Sequence, residues 1–220
     1  MDWLTKIDGF AEKLARPAEN DEEFEMLKKV EATGGLMYPA DALVLFRLSC
    51  QLGYAAKILE IGSYRGASTT ALGLGIFNKN CQIYSLDCWK DYHVQDDFKL
   101  LKPTIPKTDS EVFEIFQNNT AFLGDSLRIL KGTSRQFDGF LPANFFDLVF
   151  IDGAHDYDSV VADINMSLHA LAPNGMLCGH DYHSLGDGVV KAVDELIAYN
   201  PAYAVKGLVT NTSVWYAVCP

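Results

Sequence analysis

Apolar residues change their spacing near Lys57. Before that point they recur every three or four positions, with Leu4, Ile7, Phe10 and Leu14 on one stripe and Phe24, Leu27 and Val30 on a second, the period of amphipathic helices. Pro17 separates the two stripes, because proline removes a backbone donor and crowds the preceding turn. The breaker cluster Thr33-Gly34-Gly35-Leu36-Met37-Tyr38-Pro39 follows an N-terminal helical extension, residues 1–33. Asp41 can cap a third helix that runs through Leu43, Leu45, Phe46 and Leu48 to Leu52.

After Lys57, short apolar runs alternate with helix-like stretches. Ile58-Leu59-Glu60-Ile61 reads as a strand, Gly62-Ser63-Tyr64-Arg65-Gly66 as a turn and 68–77 as a helix. Residues 82–86 and 121–123 read as the next two strands, with a short helix over 126–130. Phe146 to Ile151, a helix over 157–171 and a strand over 175–179 continue the rhythm. Such alternation predicts an α/β fold: a Rossmann-like, doubly wound and mostly parallel sheet with helices on both faces. Past Asp187, a helix through Val190, Val193, Leu196 and Ile197 leads to two β-rich runs, 202–209 and 213–218, joined by Thr210-Asn211-Thr212. So short a link forbids a helical crossover, so the seven-stranded sheet should end in an antiparallel hairpin. Residues 34–220 then form one domain. The stretch 91–119, with Pro103, Pro106 and an apolar patch at Val112, Phe113 and Phe116, reads as an insertion over the sheet's C-terminal edge.

Composition narrows the partners. At 220 residues the chain suffices for one well-buried core, and no window approaches the roughly 18 unbroken apolar residues of a membrane span. A formal net charge of -11 opposes a phosphate backbone, so neither nucleic acid nor membrane is expected as a partner. Five cysteines without a Cys-x-x-Cys pair suggest neither a disulfide framework nor a thiolate zinc site. With charges where a signal peptide would be apolar, the expected compartment is the cytoplasm.

The candidate chemistry sits at the expected strand ends. The Gly62–Gly66 turn leads from a strand into a helix, whose N-terminus favours negative charge; alone, it fits a plain tight connection equally well. Asp87 ends the second strand, where an acid can bind both hydroxyls of a ribose, and Gly124-Asp125-Ser126 follows the expected third strand, where Asp125 and Ser126 could meet an adenine edge. Three such features at successive strand ends point to a nucleoside cofactor. The fourth strand delivers Asp152-Gly153-Ala154-His155 and the fifth His180-Asp181-Tyr182, aiming metal-competent and titratable groups at one spot. Trp89, Tyr92, His93, Tyr157, Tyr182 and His183 are candidates for lining an acceptor pocket, and Asp156 and Asp158 for capping the next helix.

In order, Glu60-Ile61-Gly62-Ser63-Tyr64-Arg65-Gly66-Ala67-Ser68-Thr69, Asp87, Phe150-Ile151-Asp152-Gly153-Ala154-His155, Leu171-Ala172-Pro173-Asn174-Gly175 and His180-Asp181-Tyr182 resemble the class I S-adenosylmethionine-dependent methyltransferases. The resemblance covers about residues 34–218 and is nearest to a small bacterial group with macrolide-sugar O-methyltransferases and cephalosporin hydroxylase, and more distant to catechol O-methyltransferase. It implies that Glu60, Gly62, Ser63, Tyr64, Gly66 and Ser68 form the methionine-end loop, with Met37 and Tyr38 folded over it. It further implies Asp87 at the ribose and Asp125, Ser126 and Asp152 along the cofactor. For metal-dependent members it implies a divalent cation, magnesium first, on Asp152 and Asp181, with His155 as general base on a small hydroxylated acceptor such as a sugar or vicinal diol.

One position departs from that pattern. His180 stands where several metal-dependent relatives carry a carboxylate, and imidazole suits a softer metal better than magnesium. It can ligate such a metal, stay outside the shell or mark a lost site. A nicotinamide-dependent oxidoreductase and a non-catalytic nucleoside-binding or assembly protein remain alternatives. The N-terminal helices can cover the pocket or contact a second copy in a homo-oligomer.

Overall fold

A computed structural model of the protein describes residues 10–90, 108–182, 187–199 and 205–218. The strands are β1 (Lys57–Ile61), β2 (Gln82–Asp87), β3 (Leu127–Lys131), β4 (Phe146–Ile151), β5 (Leu171–Gly179), β6 (Val205–Leu208) and β7 (Trp215–Val218). They form one sheet in the order β3-β2-β1-β4-β5-β7-β6. Pairings among β1 to β5 are parallel, whereas β7 runs antiparallel to both β5 and β6. The mostly parallel sheet and its antiparallel end match the expectation from the sequence. Strand order reverses between β1 and β4, which opens a crevice at their C-terminal ends.

The helices are α1 (Phe10–Leu14), α2 (Asp21–Ala32), α3 (Pro39–Cys50), α4 (Ala67–Gly75), α5 (Asp109–Thr120), α6 (Ser134–Phe137), α7 (Tyr157–Ala170) and α8 (Asp187–Tyr199). Alternate strand residues serve opposite faces. Ile58, Ile83, Leu148, Phe150, Met176 and Cys178 pack against α1 to α4. Leu59, Ile61, Leu86, Val149, Ile151 and Leu177 pack against α7 and α8. Each fully buried large side chain contributes about 1.5–3 kcal/mol, which explains why both faces of the central strands read as unbroken apolar text.

The N-terminal helices join this core. Phe10, Leu14, Met26 and Val30 are buried in the same cluster as α3 and the sheet. Arg47 of α3 secures them: its Nε donates to Glu23 Oε1 at 2.7 Å, Nη1 to the carbonyls of Leu14 at 2.9 Å and Arg16 at 2.5 Å, and Nη2 to that of Pro17 at 2.9 Å. The chain between α1 and α2 is thus folded around one guanidinium.

The third strand differs from expectation. Residues 121–123 belong to a 3-10 helix, Ala121–Ser126, and the strand is Leu127–Lys131, where a short helix was expected. As the sheet's edge, β3 leaves Arg128, Ile129 and Lys131 exposed, so its composition lacks the apolar run of a central strand. Its register pairs Leu127 with Ile83 and Lys131 with Asp87, so Asp125 and Ser126 lie at the N-terminal edge of the sheet, opposite the crevice.

Candidate active site

Four strand ends meet along the C-terminal edge. The parallel ladder continues past them through Gly62 N–H to the Leu86 carbonyl at 2.9 Å, Asp152 N–H to Ile61 at 2.7 Å and His180 N–H to Ile151 at 3.0 Å. Asp87, Gly62, Asp152 and His180 therefore stand side by side in sheet order.

The turn after β1 is held from within. Glu60 faces the α4 side, fully buried, and its Oε2 accepts from the hydroxyls of Ser63 at 2.7 Å, Thr69 at 2.6 Å and Ser85 at 2.7 Å. Burial raises its pKa, and these hydroxyls, with that of Ser68, oppose the rise. Glu60 thus braces the turn from the core side. Asp87 does likewise from β2: Oδ2 accepts from the backbone N–H groups of Ser63 and Tyr64, both at 2.8 Å, and Oδ1 from that of Trp89 at 2.7 Å. Gly62 has φ +88, and a Cβ there would stand 2.0 Å from the Asp152 carbonyl oxygen. The close approach that requires this glycine is thus to the end of β4. Gly66, at φ +86, caps α4, and a Cβ there would meet Thr120 and Phe116 of α5.

Helix α5 packs against this turn. Asn119 donates to the carbonyls of Arg65 at 2.8 Å and Thr33 at 3.1 Å, while Trp89 packs at a tilt against Phe113 and Phe116. Trp89 is buried there. Met37 packs partly buried against the α1–α4 core, whereas Tyr38 is 70 % exposed beside it. Tyr157 and Tyr182 direct their hydroxyls to α8, donating to Glu195 at 2.5 Å and Asp194 at 2.6 Å. Asp156 caps α7, accepting from Ser159 N–H at 3.0 Å. Tyr92, His93 and His183 lie outside the described residues.

At the third strand end the structure puts Gly132-Thr133-Ser134 where Asp125 and Ser126 were expected. Gly132 N–H donates to the Asp87 carbonyl at 2.9 Å, and Thr133 and Gln136 form a capping box that starts α6. The Thr133-x-x-Gln136 spacing is the sequence signal that marks this turn.

The acids and histidines after β4 and β5 do converge. Asp152, His155 and Asp181 each offer a ligand atom within 4.8 Å of the others. His155, 56 % exposed, approaches Asp181 Oδ2 through Nε2 at 2.9 Å. That carboxylate raises the pKa of His155 above the ordinary 6.5, against the opposing effect of burial. Burial would raise Asp181, but His155 and His180 hold it well below the usual carboxylate range. Asp181 adopts φ +58, a left-handed conformation uncommon outside glycine, asparagine and aspartate, and its carboxylate meets both His155 and His180.

His180 is not part of that three-residue cluster. It is buried behind it, with Nδ1 3.5 Å from Asp152 Oδ1 and 3.3 Å from Asp181 Oδ1, and with Nε2 3.0 Å from Asp41 Oδ2. Burial opposes its charge, yet Asp152, Asp181 and Asp41 outweigh that and push it up to about 12. Asp41 is the residue that sequence reasoning missed. It is 1 % exposed in the first turn of α3, and its Oδ1 accepts from Ser213 N–H at 3.0 Å. No local pattern pairs it with a histidine 139 positions away.

The strand order, the antiparallel β6–β7 pair and the site at the reversal between β1 and β4 define the Rossmann-like methyltransferase fold. A methyltransferase domain family matches residues 59–182, more than half of the chain, and the chain belongs to that family. Solved structures share the architecture. The methyltransferase PaMTH1 of Podospora anserina, bound to S-adenosylhomocysteine, superposes with a TM-score of 0.65 at 16% identity over 98% of this chain and 94% of its own. An O-methyltransferase from Bacillus cereus in complex with S-adenosylhomocysteine gives 0.59 at 20% identity over 97% of each chain. TomG of Streptomyces achromogenes, an O-methyltransferase of tomaymycin synthesis in complex with S-adenosylmethionine, gives 0.58 at 14% identity over 98% and 96%. No curated protein matches the sequence at a significant level.

Proposed function

We propose that this methyltransferase transfers the methyl group of S-adenosylmethionine to a hydroxyl of a small acceptor, a sugar or vicinal diol, with help from a divalent cation. The observation that carries the reading is the cluster of Asp152, His155 and Asp181, one strand away from the glycine turn after β1. Cofactor-bound relatives with the same sheet support the choice of methyl donor.

The donors fit a cation. Two carboxylates suit magnesium, which commonly keeps several waters in its octahedral shell; the imidazole beside them would also accept a softer ion. Asp152 and Asp181 would hold it. A bound divalent cation supplies positive charge that lowers the pKa of a nearby hydroxyl. The chain's own residues do the rest. The Glu60 and Asp87 contacts fix the turn from Gly62 to Tyr64, so its backbone and the N-terminal end of α4 can orient the methionine end of the donor. His155 keeps Nε2 on Asp181, so its other ring nitrogen, Nδ1, would accept the acceptor's proton. Positioning oxygen and methyl in line is then the main contribution of the protein. The Gly132-Thr133-Ser134 turn, beside Asp87, takes the adenine role in place of Asp125 and Ser126.

Calorimetric titration with S-adenosylhomocysteine and with oxidised and reduced nicotinamide dinucleotides tests the donor. Binding of the homocysteine ligand alone is expected; tight nicotinamide binding with none of the former refutes the proposal. Asp152→Ala and Asp181→Ala should each lose cation binding while still binding S-adenosylhomocysteine. Unchanged cation affinity in both would remove the metal from the mechanism.

A further inference from the structure

The cation reading accounts for Asp152, His155 and Asp181 but leaves a buried pair behind them without a task. His180 has a carboxylate oxygen at each ring nitrogen: Asp41 at Nε2, and Asp152 and Asp181 at Nδ1. Asp41 divides its two oxygens between His180 and the backbone of Ser213. The ring therefore lies between Asp41 of α3, which is itself tied to the C-terminal hairpin, and the two acids of the site, which face its Nδ1. Metal sites commonly use such an outer partner to orient a ligand, and losing it typically costs about 10–100-fold in affinity.

Resting on the cation-assisted reading, we propose that Asp41 is a positioning residue: through the His180 ring it fixes Asp152 and Asp181 in the arrangement a cation needs, and His180 stays outside the shell. Asn in place of Asp41 can still accept from Ser213 N–H, but then turns an amide N–H₂ toward His180 Nε2, so the ring loses its acceptor. Gln in place of His180 keeps bulk and polarity but cannot bridge both sides.

The test is Mn²⁺ titration, read by the electron paramagnetic resonance of the free ion, on the full chain saturated with S-adenosylhomocysteine. The proteins are wild type, Asp41→Asn, His180→Gln, the double variant and Asp41→Glu. Asp41→Asn and His180→Gln should each bind Mn²⁺ about tenfold more weakly or worse. The double variant should be no weaker than His180→Gln alone, since Asp41 acts only through the ring. Asp41→Glu should restore part of the affinity. Affinity for S-adenosylhomocysteine should stay within about twofold throughout, which separates loss of position from loss of fold. With ¹⁵N-labelled histidine, spin-echo modulation of bound Mn²⁺ should be the same in His180→Gln as in wild type. Loss of a nitrogen coupling in that variant, additive losses in the double variant, or an unaltered Asp41→Asn would each overturn the inference. Wild-type protein that takes up S-adenosylhomocysteine but no Mn²⁺ would sink the cation reading and this inference together, whereas failure confined to the variants leaves the reading intact.

Discussion

Asp163 should limit the stability of this protein at neutral pH. It lies in α7, 2 % exposed, with Oδ2 under the Gly153 turn and Oδ1 lacking any hydrogen-bond partner among the described residues. Burial lifts its pKa from the ordinary 3.8 to about 6, with the Ser134 hydroxyl pulling the other way. A carboxyl whose folded pKa is raised binds its proton more tightly when folded, so stability falls as pH rises through that interval. At pH 8 the penalty is about 3 kcal/mol. At pH 5 it is about half that, because the folded group is then largely protonated while the unfolded one is still ionised. Asp163→Asn removes the charge, retains an acceptor for Ser134 and buries one amide group, whose lost hydration returns about 1–2 kcal/mol. The net expectation is stabilisation by about 1–2 kcal/mol at pH 8 that vanishes near pH 5. Urea unfolding of both proteins at the two pH values measures it. A difference between variant and wild type that is the same at pH 5 and pH 8 would refute the reasoning, whatever its sign.

Arg47→Ala leaves Glu23 and the carbonyls of Leu14, Arg16 and Pro17 without their shared donor, and should cost about 3 kcal/mol, the scale for breaking a nearly buried ion pair. The thermal midpoint should then fall by roughly 10 °C, and an unchanged midpoint would show that α1 and α2 dock by apolar contact alone. Gly62→Ala combines φ +88 with a Cβ 2.0 Å from the Asp152 carbonyl, so it should lower soluble yield and S-adenosylhomocysteine binding together, whereas Gly53→Ala, which meets nothing within 4 Å, should be silent in both.

Much of the sheet was legible because its central strands are buried on both sides. Ile58 to Ile61 and Phe146 to Ile151 carry apolar side chains toward two helical layers, a pattern that survives without knowledge of neighbours. The edge strand carries no such signature. Leu127 to Lys131 exposes charged and apolar residues alike, while Ala121-Phe122-Leu123 looks like a strand but turns as a 3-10 helix. That single displacement moved Asp125 and Ser126 to the wrong edge. The convergence of Asp152, His155 and Asp181 follows from adjacency of β4 and β5 and was readable from strand ends. The pairing of Asp41 with His180 was not. An aspartate in a first helical turn reads as a cap, and a buried histidine acquires its meaning from what faces each nitrogen.

The bond from Ser213 to Asp41 also orders events in time. Helix α3 is complete early in synthesis, but its aspartate stays without its backbone donor until residue 213 has left the ribosome and the hairpin has closed against β5. The full set of Asp41 contacts, across separations of 139 and 172 positions, can therefore form only once the last hairpin is made, and a chain cut short before Ser213 should keep α3 but lack the second of them.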